Sequence, residues 1–304
     1  MSDDYHPHRL HAADRVWPET NCYFDLWIEL LHGMGRDPLP LLGATVALDW
    51  EVDHFTFLKP ASTDILAASG IVVHEMALWR ETAAQVVAQI EAGAVPILEV
   101  DAFFLPDTQA NAYGHTHTKT TIAIVAIYPE RQSLDYLHNA GRYRLTGDDY
   151  AGVLGLGDHR PMLFPFAELA RPVRDPAPEQ EAQALALQWL GRHASTRRCS
   201  NPVADFAAAL PGLLAEAGPD PQRINALCFN TTRQFGSAFG LLADHLAWLG
   251  EDKSDADALA HSAKTLQFQL ARAARRNLVD PAIEVALGSM SARWERCMGQ
   301  LGLL

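Results

Sequence analysis

The chain has 304 residues, 48% hydrophobic and 20% charged, with 20 Gly, 18 Pro and 4 Cys. These are the proportions of a globular protein, so a disordered chain, a collagen-like repeat and a disulfide scaffold are excluded. The net charge of −13 argues against nucleic acid or an anionic membrane surface as the main partner. Residues 1 to 150 hold 9 basic and 21 acidic residues and 151 to 304 hold 15 and 16, so nearly all the excess acid lies in the first half.

The N-terminal MSDDYHPHRLHAADR is polar, and no run of about 18 apolar residues occurs. Cys22, Cys199, Cys228 and Cys297 form no CxxC and no close pair, which points to a reducing, cytoplasmic setting. His6, His8 and His11 in HPHRLH read as a solvated tail rather than a metal site.

In chain order, NCYFDLWIELLH (21 to 32) is apolar nearly all round, as a buried helix is, and stops at Gly33. ATVALDW (44 to 50) and FTFLK (55 to 59) read as short strands, ASTDILAASG as a helix and IVVHEMAL (71 to 78) as a strand. A helix over 80 to 92 follows, then strands over 95 to 105, 118 to 128 and 133 to 139. Five prolines at 161, 165, 172, 176 and 178 break regular structure and predict a linker or a wrapping segment. Beyond them, five segments with i, i+3, i+4 apolar spacing predict about five helices. The expected fold class is α+β followed by an all-α domain, with domains at 1–160 and 179–304 and a Pro-rich linker at 161–178. Trp27, Trp79, Trp189, Trp248 and Trp294 stand in periodic apolar settings and read as core.

Cys22 opens the buried helix, with Thr20 or Asn21 as its cap. A thiol in a first helical turn meets free backbone N–H groups and the positive end of the dipole, both of which favour thiolate. A thiolate nucleophile needs a base that also serves as an acid, and HTHT places His115 and His117 before a strong strand. The next strand offers Asp135 and, at its end, Asn139 to orient the imidazole.

WPETNCYFDLWIELLHGMGRDP, FTFLK, LEVDAFFLPDT, HTKTTIAIVAI, YLHNAG and FNTTRQFG together resemble a family of uncharacterised bacterial proteins over most of the chain. More distantly, the first half resembles the papain-like N-terminal domain of butirosin-type acyltransferases. That resemblance implies a triad mapping onto Cys22, His117 and Asn139, with Asp101 and Asp107 in the VDAFFLPDT run before the histidine strand. It also implies acyl transfer from a carrier protein's phosphopantetheine thioester to an amine; no resident cofactor is expected, and no metal, because no carboxylate or third histidine stands at a diagnostic spacing from His115 and His117. The oxyanion-hole Gln of papain-like enzymes is missing from Ala12 to Asn21, so Cys22 N–H with Asn21 or Thr20 would have to replace it.

The expected activity is therefore a cysteine-dependent acyl or aminoacyl transferase. The alternatives are an amidase or peptidase using the same residues, and a catalytically silent scaffold. An acidic carrier protein would dock on the basic residues of the helical half: Arg192, Arg197, Arg198, Arg272, Arg275 and Arg276.

Overall fold

A computed structural model describes residues 5–159, 164–198, 200–276 and 281–304. Among these, the elements in chain order are α1 (Cys22–Gly33), β1 (Trp50–Glu51), β2 (His54–Phe55), α2 (Ser62–Ser69), β3 (Ile71–Glu75), α3 (Thr82–Glu91) and β4 (Val95–Asp101). Next come β5 (Lys119–Tyr128), β6 (Ser133–His138), β7 (Gly141–Thr146), α4 (Gly147–Leu154) and β8 (Ala167–Pro172). The helices α5 (Glu179–Ala194), α6 (Pro202–Ala217), α7 (Pro221–Leu249), α8 (Ser254–Arg276) and α9 (Pro281–Gln300) complete the chain. A mixed α+β region thus precedes an all-helical one.

The chain forms two compact units that interleave in sequence. The first comprises residues 1–12, 22–38 and 61–177; the second takes 13–21 and 39–60 together with 178–304.

In the first unit a six-stranded antiparallel sheet has the order β3-β8-β4-β5-β6-β7. Alternation divides its strands into two faces. Val100, Ile122, Ile124, Leu134, Tyr136 and Leu145 face a core shared with Val86 of α3 and Tyr150 and Val153 of α4. The opposite face carries Thr121 and, paired beside it, Glu99, and α1 lies across β5 and β6. Every residue of α1 from Tyr23 to Leu31 is buried, as its all-round apolar sequence requires.

The stretch read as a linker contributes β8, inserted between β3 and β4. It tolerates its prolines because Pro172 ends the strand and Pro165 precedes it. Residues 44 to 47 belong to a 3-10 helix, Leu39–Ala47, rather than a strand. Trp79, expected in the core, is 76% exposed.

In the second unit the five predicted helices are present, and residues 39–60 pack into them. Trp50 and Phe55, on β1 and β2, pack as tilted rings against Phe206 of α6 at 5.1 and 5.3 Å, and Phe55 reaches Phe235 of α7 at 5.6 Å. His245 is fully buried with Nδ1 on the Leu39 carbonyl at 2.8 Å. It lies so close to Gly43 that a Cβ there would fall 2.6 Å from its ring. Burial drives its pKa down to about 4, so it is neutral.

Two of the arginines expected to dock a partner are spent inside this unit. Arg197 donates to the Leu303 carbonyl at 2.6 Å and covers Trp294, while the Arg198 guanidinium donates to the Trp50 carbonyl at 3.0 Å and its backbone N–H to Asp49. The side chains of Arg275 and Arg276, and Cys199, lie outside the described residues.

Candidate functional site

The first unit opens a cleft of about 520 Å³ where β4 ends and β5 begins. Its polar lining includes Glu99, Asp101, His117, Thr118 and Lys119; Phe104, Val153, Leu154 and Phe166 supply apolar walls. This combination of an apolar body with a few convergent polar groups is typical of small-molecule sites.

His117 is the best-defined chemical group in the cleft. Its Nδ1 donates to Asp101 Oδ2 at 2.5 Å, and its ring stacks on Phe103 at 4.4 Å, only 12° from parallel. Asp101 is itself fixed, because its other oxygen accepts from the backbone N–H groups of Phe103 and Thr118. The side chain is 71% exposed, and Nε2 makes no hydrogen bond in the described structure. An imidazole whose Nδ1–H is anchored to a carboxylate presents its Nε2 lone pair outward, as a general base does. Beside it, Lys119 pairs with Glu99 at 2.6 Å.

Cys22 is the first residue of α1, half-buried and reduced. Its Sγ lies 4.0 Å from the Thr121 hydroxyl, its one hydrogen-bond contact. No hydrogen bond joins Cys22 to His117, His115 or Asn139. Thr121 is four residues beyond His117, roughly 13 Å along extended chain, so the register of β5 presents Thr121 rather than the histidine to the thiol.

The remaining sequence candidates are dispersed. Asn139 has φ +46° and opens the two-residue turn between β6 and β7; the left-handed conformation explains an Asn there. His117 is therefore oriented by Asp101, not by Asn139. Asp135 is gripped by Arg144 at 2.6 Å and Arg142 at 3.2 Å, the former bond holding its carboxyl below the usual range. His115 is exposed in the loop before β5. Thr20 and Asn21 are buried, and the Asn21 amide donates to the Leu58 carbonyl.

Two buried networks escaped the sequence reading. On the core face, Asp107 accepts from the Tyr136 hydroxyl and from His138 Nδ1 at 2.5 Å, and His138 Nε2 meets the Thr120 hydroxyl at 2.8 Å. Burial, then the charge of Asp107, raises the Tyr136 pKa far above the usual phenol value. On α1, Asp25 and Glu29 clasp His11, whose Nε2 is 3.2 Å from Asp25 and whose Nδ1 bonds Glu29. Tyr5 and the His8 backbone also donate to Glu29. Burial alone would lower the His11 pKa, but the two carboxylates reverse this and raise it to about 9. Two carboxylates four residues apart within an apolar helix were the available signal, since buried charges must be paired.

Among the described residues no group of three or more His, Cys, Asp or Glu side chains is arranged to hold a metal ion. No helix among them is long and apolar enough to cross a membrane.

Fold and cleft define a two-domain protein, an α+β domain with a histidine-bearing cleft followed by a helical domain. The chain belongs to the DUF1839 family: residues 6–172 match the model of the DUF1839 N-terminal domain and residues 179–302 that of the DUF1839 C-terminal domain. No curated protein matches the chain.

Proposed function

We propose that the protein is an acyl or aminoacyl transferase in which Cys22 is the nucleophile and His117, oriented by Asp101, is the base. The observation that carries this reading is the His117–Asp101 couple, anchored at 2.5 Å and facing a 520 Å³ cleft. A cysteine at the start of a buried helix, followed in the chain by a histidine at the mouth of a sheet strand, also supports a papain-like arrangement.

In the first step, starting from a Cys22 thiolate and a protonated His117, the thiolate attacks the carbonyl of a carrier-protein thioester, the bond to the phosphopantetheine sulfur breaks, and His117 gives its proton to the leaving thiolate. Thioester exchange of this kind is close to isoenergetic, so the second step sets specificity. His117 Nε2 then takes a proton from an amine acceptor, the nitrogen attacks the acyl-cysteine, and the Cys22 thiolate is released. This route requires Cys22 and His117 to approach within hydrogen-bond reach during the reaction.

A second reading follows from the Cys22–Thr121 contact and from the absence of Cys22 among the cleft-lining residues. His117 then activates an amine or a water directly against the bound acyl group, making the protein a non-covalent transferase or a hydrolase.

The test is to incubate the full chain with an acyl or aminoacyl carrier-protein thioester and a primary amine, following thioester loss and the mass of the Cys22 peptide. The covalent route predicts an acyl adduct on Cys22, no turnover in Cys22→Ala and slow resolution in His117→Gln. Wild-type turnover in Cys22→Ala together with its loss in His117→Gln selects the direct route. Turnover that neither substitution alters refutes both, and no turnover above the protein-free rate leaves a binding or scaffold role.

A further inference from the structure

We infer that Phe104, seated on Gly152, holds the acyl group and that this group is an uncharged apolar chain. Calling the ligand an acyl group rests on the transferase reading, whereas the apolar seat is a property of the cleft alone. The seat is built from Asp101. One of its oxygens fixes His117 Nδ1 at 2.5 Å; the other accepts the Phe103 N–H at 3.0 Å and so caps the 3-10 turn Ala102–Phe104. The carboxylate that aims the imidazole therefore also sets the position of two phenylalanines.

Phe103 lies flat on His117, and Phe104 makes a T-shaped contact with Phe103 at 5.1 Å. A second T-shaped contact, also at 5.1 Å, joins Phe104 to His159. The Phe104 ring rests as well on the backbone of Gly152 in α4, where a Cβ would fall 2.3 Å from it. Glycine weakens a helix interior, and at 152 the ring takes the space that any other side chain needs. Phe104 is thus a fixed wall one ring removed from the base, and it lines the same 520 Å³ cleft as His117.

The charges of the cleft select the ligand. Among the described lining residues the carboxylates of Glu99 and Asp101 are already paired, with Lys119 at 2.6 Å and with His117. A charged substituent on the acyl chain would find no unpaired carboxylate or ammonium there, and beside Phe104, Val153, Leu154 and Phe166 it would lose its hydration without compensation. An apolar chain instead gains with every methylene it buries. Phe166, 39% exposed, offers further apolar surface for it to cover.

The test is calorimetric titration of the full chain with acetamide, hexanamide, leucinamide and succinamate, amides that present an acyl group without a thioester, using wild type, Phe104→Ala, Phe104→Leu and Gly152→Ala. Wild type is expected to bind hexanamide at least roughly tenfold more tightly than acetamide, leucinamide or succinamate, since burial of two methylenes suffices for that ratio. Phe104→Ala, and Gly152→Ala by displacing the ring, are expected to cut the hexanamide-to-acetamide ratio at least roughly threefold, while Phe104→Leu keeps most of it. A ratio taken within one variant does not depend on how much of that variant is folded. Equal binding of the four amides by wild type, or a ratio unchanged in Phe104→Ala, overturns the assignment. Turnover of acetyl and hexanoyl pantetheine thioesters at equal efficiency overturns this seat and leaves the transferase reading standing; hexanamide preference without any thioester turnover supports the seat and overturns the transferase reading.

Discussion

Asp107 holds His138 at 2.5 Å inside the sheet's core face, where the two side chains are only 4% and 2% exposed. The carboxylate also accepts from the Tyr136 hydroxyl, so one residue from the 3-10 turn after β4 satisfies two donors on β6.

Asp107→Ala strands both donors in the core, and a drop in stability of about 3 kcal/mol is expected. Urea unfolding of the variant against wild type measures it. Tyr136→Phe, which removes only one of the two donors, should cost roughly a third as much.

Stability should fall in mild alkali. The pKa of His11 is raised from 6.5 to about 9 in the folded protein, so the folded state binds the proton more tightly than the unfolded chain does. Its contribution is complete below pH 6.5 and is lost as pH climbs through 9, a change of about 3 kcal/mol. Urea midpoints at pH 6 and pH 9.5 test this. His11→Gln should be less stable at pH 6 and show a much flatter profile; a wild-type midpoint unchanged over that interval would contradict the assignment.

Asn139 separates a turn role from a catalytic one. At φ +46° glycine is tolerated, whereas Asn139→Ala should cost about 1 kcal/mol. On the reading of His117 as oriented by Asp101, Asn139→Gly keeps the pH profile of any thioester turnover, while Asp101→Asn displaces it.

Among the cysteines of the described residues, thiol chemistry should single out Cys22. Burial lifts the Cys228 thiol to about 11 and, with added repulsion from nearby aspartates, the Cys297 thiol to about 12. At pH 8 iodoacetamide should therefore alkylate Cys22 at least roughly tenfold faster than either, as peptide mass spectrometry would show.

Gly236→Ala places a methyl 2.4 Å from the Trp17 ring, and overpacking of about 2 kcal/mol is expected. Thermal unfolding reads the loss.

The helical half was legible because amphipathic periodicity and Gly or Pro punctuation are local signals, and α5 to α9 fall where those signals place them. The linker at 161–178 was misread for the opposite reason. β8 is a strand only because β3 and β4 flank it, a long-range pairing that its own prolines obscure. At the site, His117 and Asp101 were both named from the sequence, but which carboxylate orients the imidazole depended on the fold of the loop between β4 and β5. The sequence offers Asn139 or Asp135 for that task, and the left-handed backbone of Asn139 and the grip of Arg144 on Asp135 show that each has other work. Phe103 carried no signal of its own, since ring stacking on a histidine leaves no pattern in spacing.

The interleaving of the two units has a consequence for biosynthesis. Residues 13–21 and 39–60 leave the ribosome early, yet their partners in the second unit begin only at residue 178. Trp50 and Phe55 must wait, with their apolar surfaces uncovered, until Phe206 and Phe235 have been made. A gene fragment beginning at residue 179 encodes the five helices without the aromatic residues that complete their core, and a fragment ending at 172 carries those residues with nothing to receive them. Separately expressed halves are therefore expected to aggregate where the whole chain folds, a vulnerability shared by proteins whose late segments complete early ones.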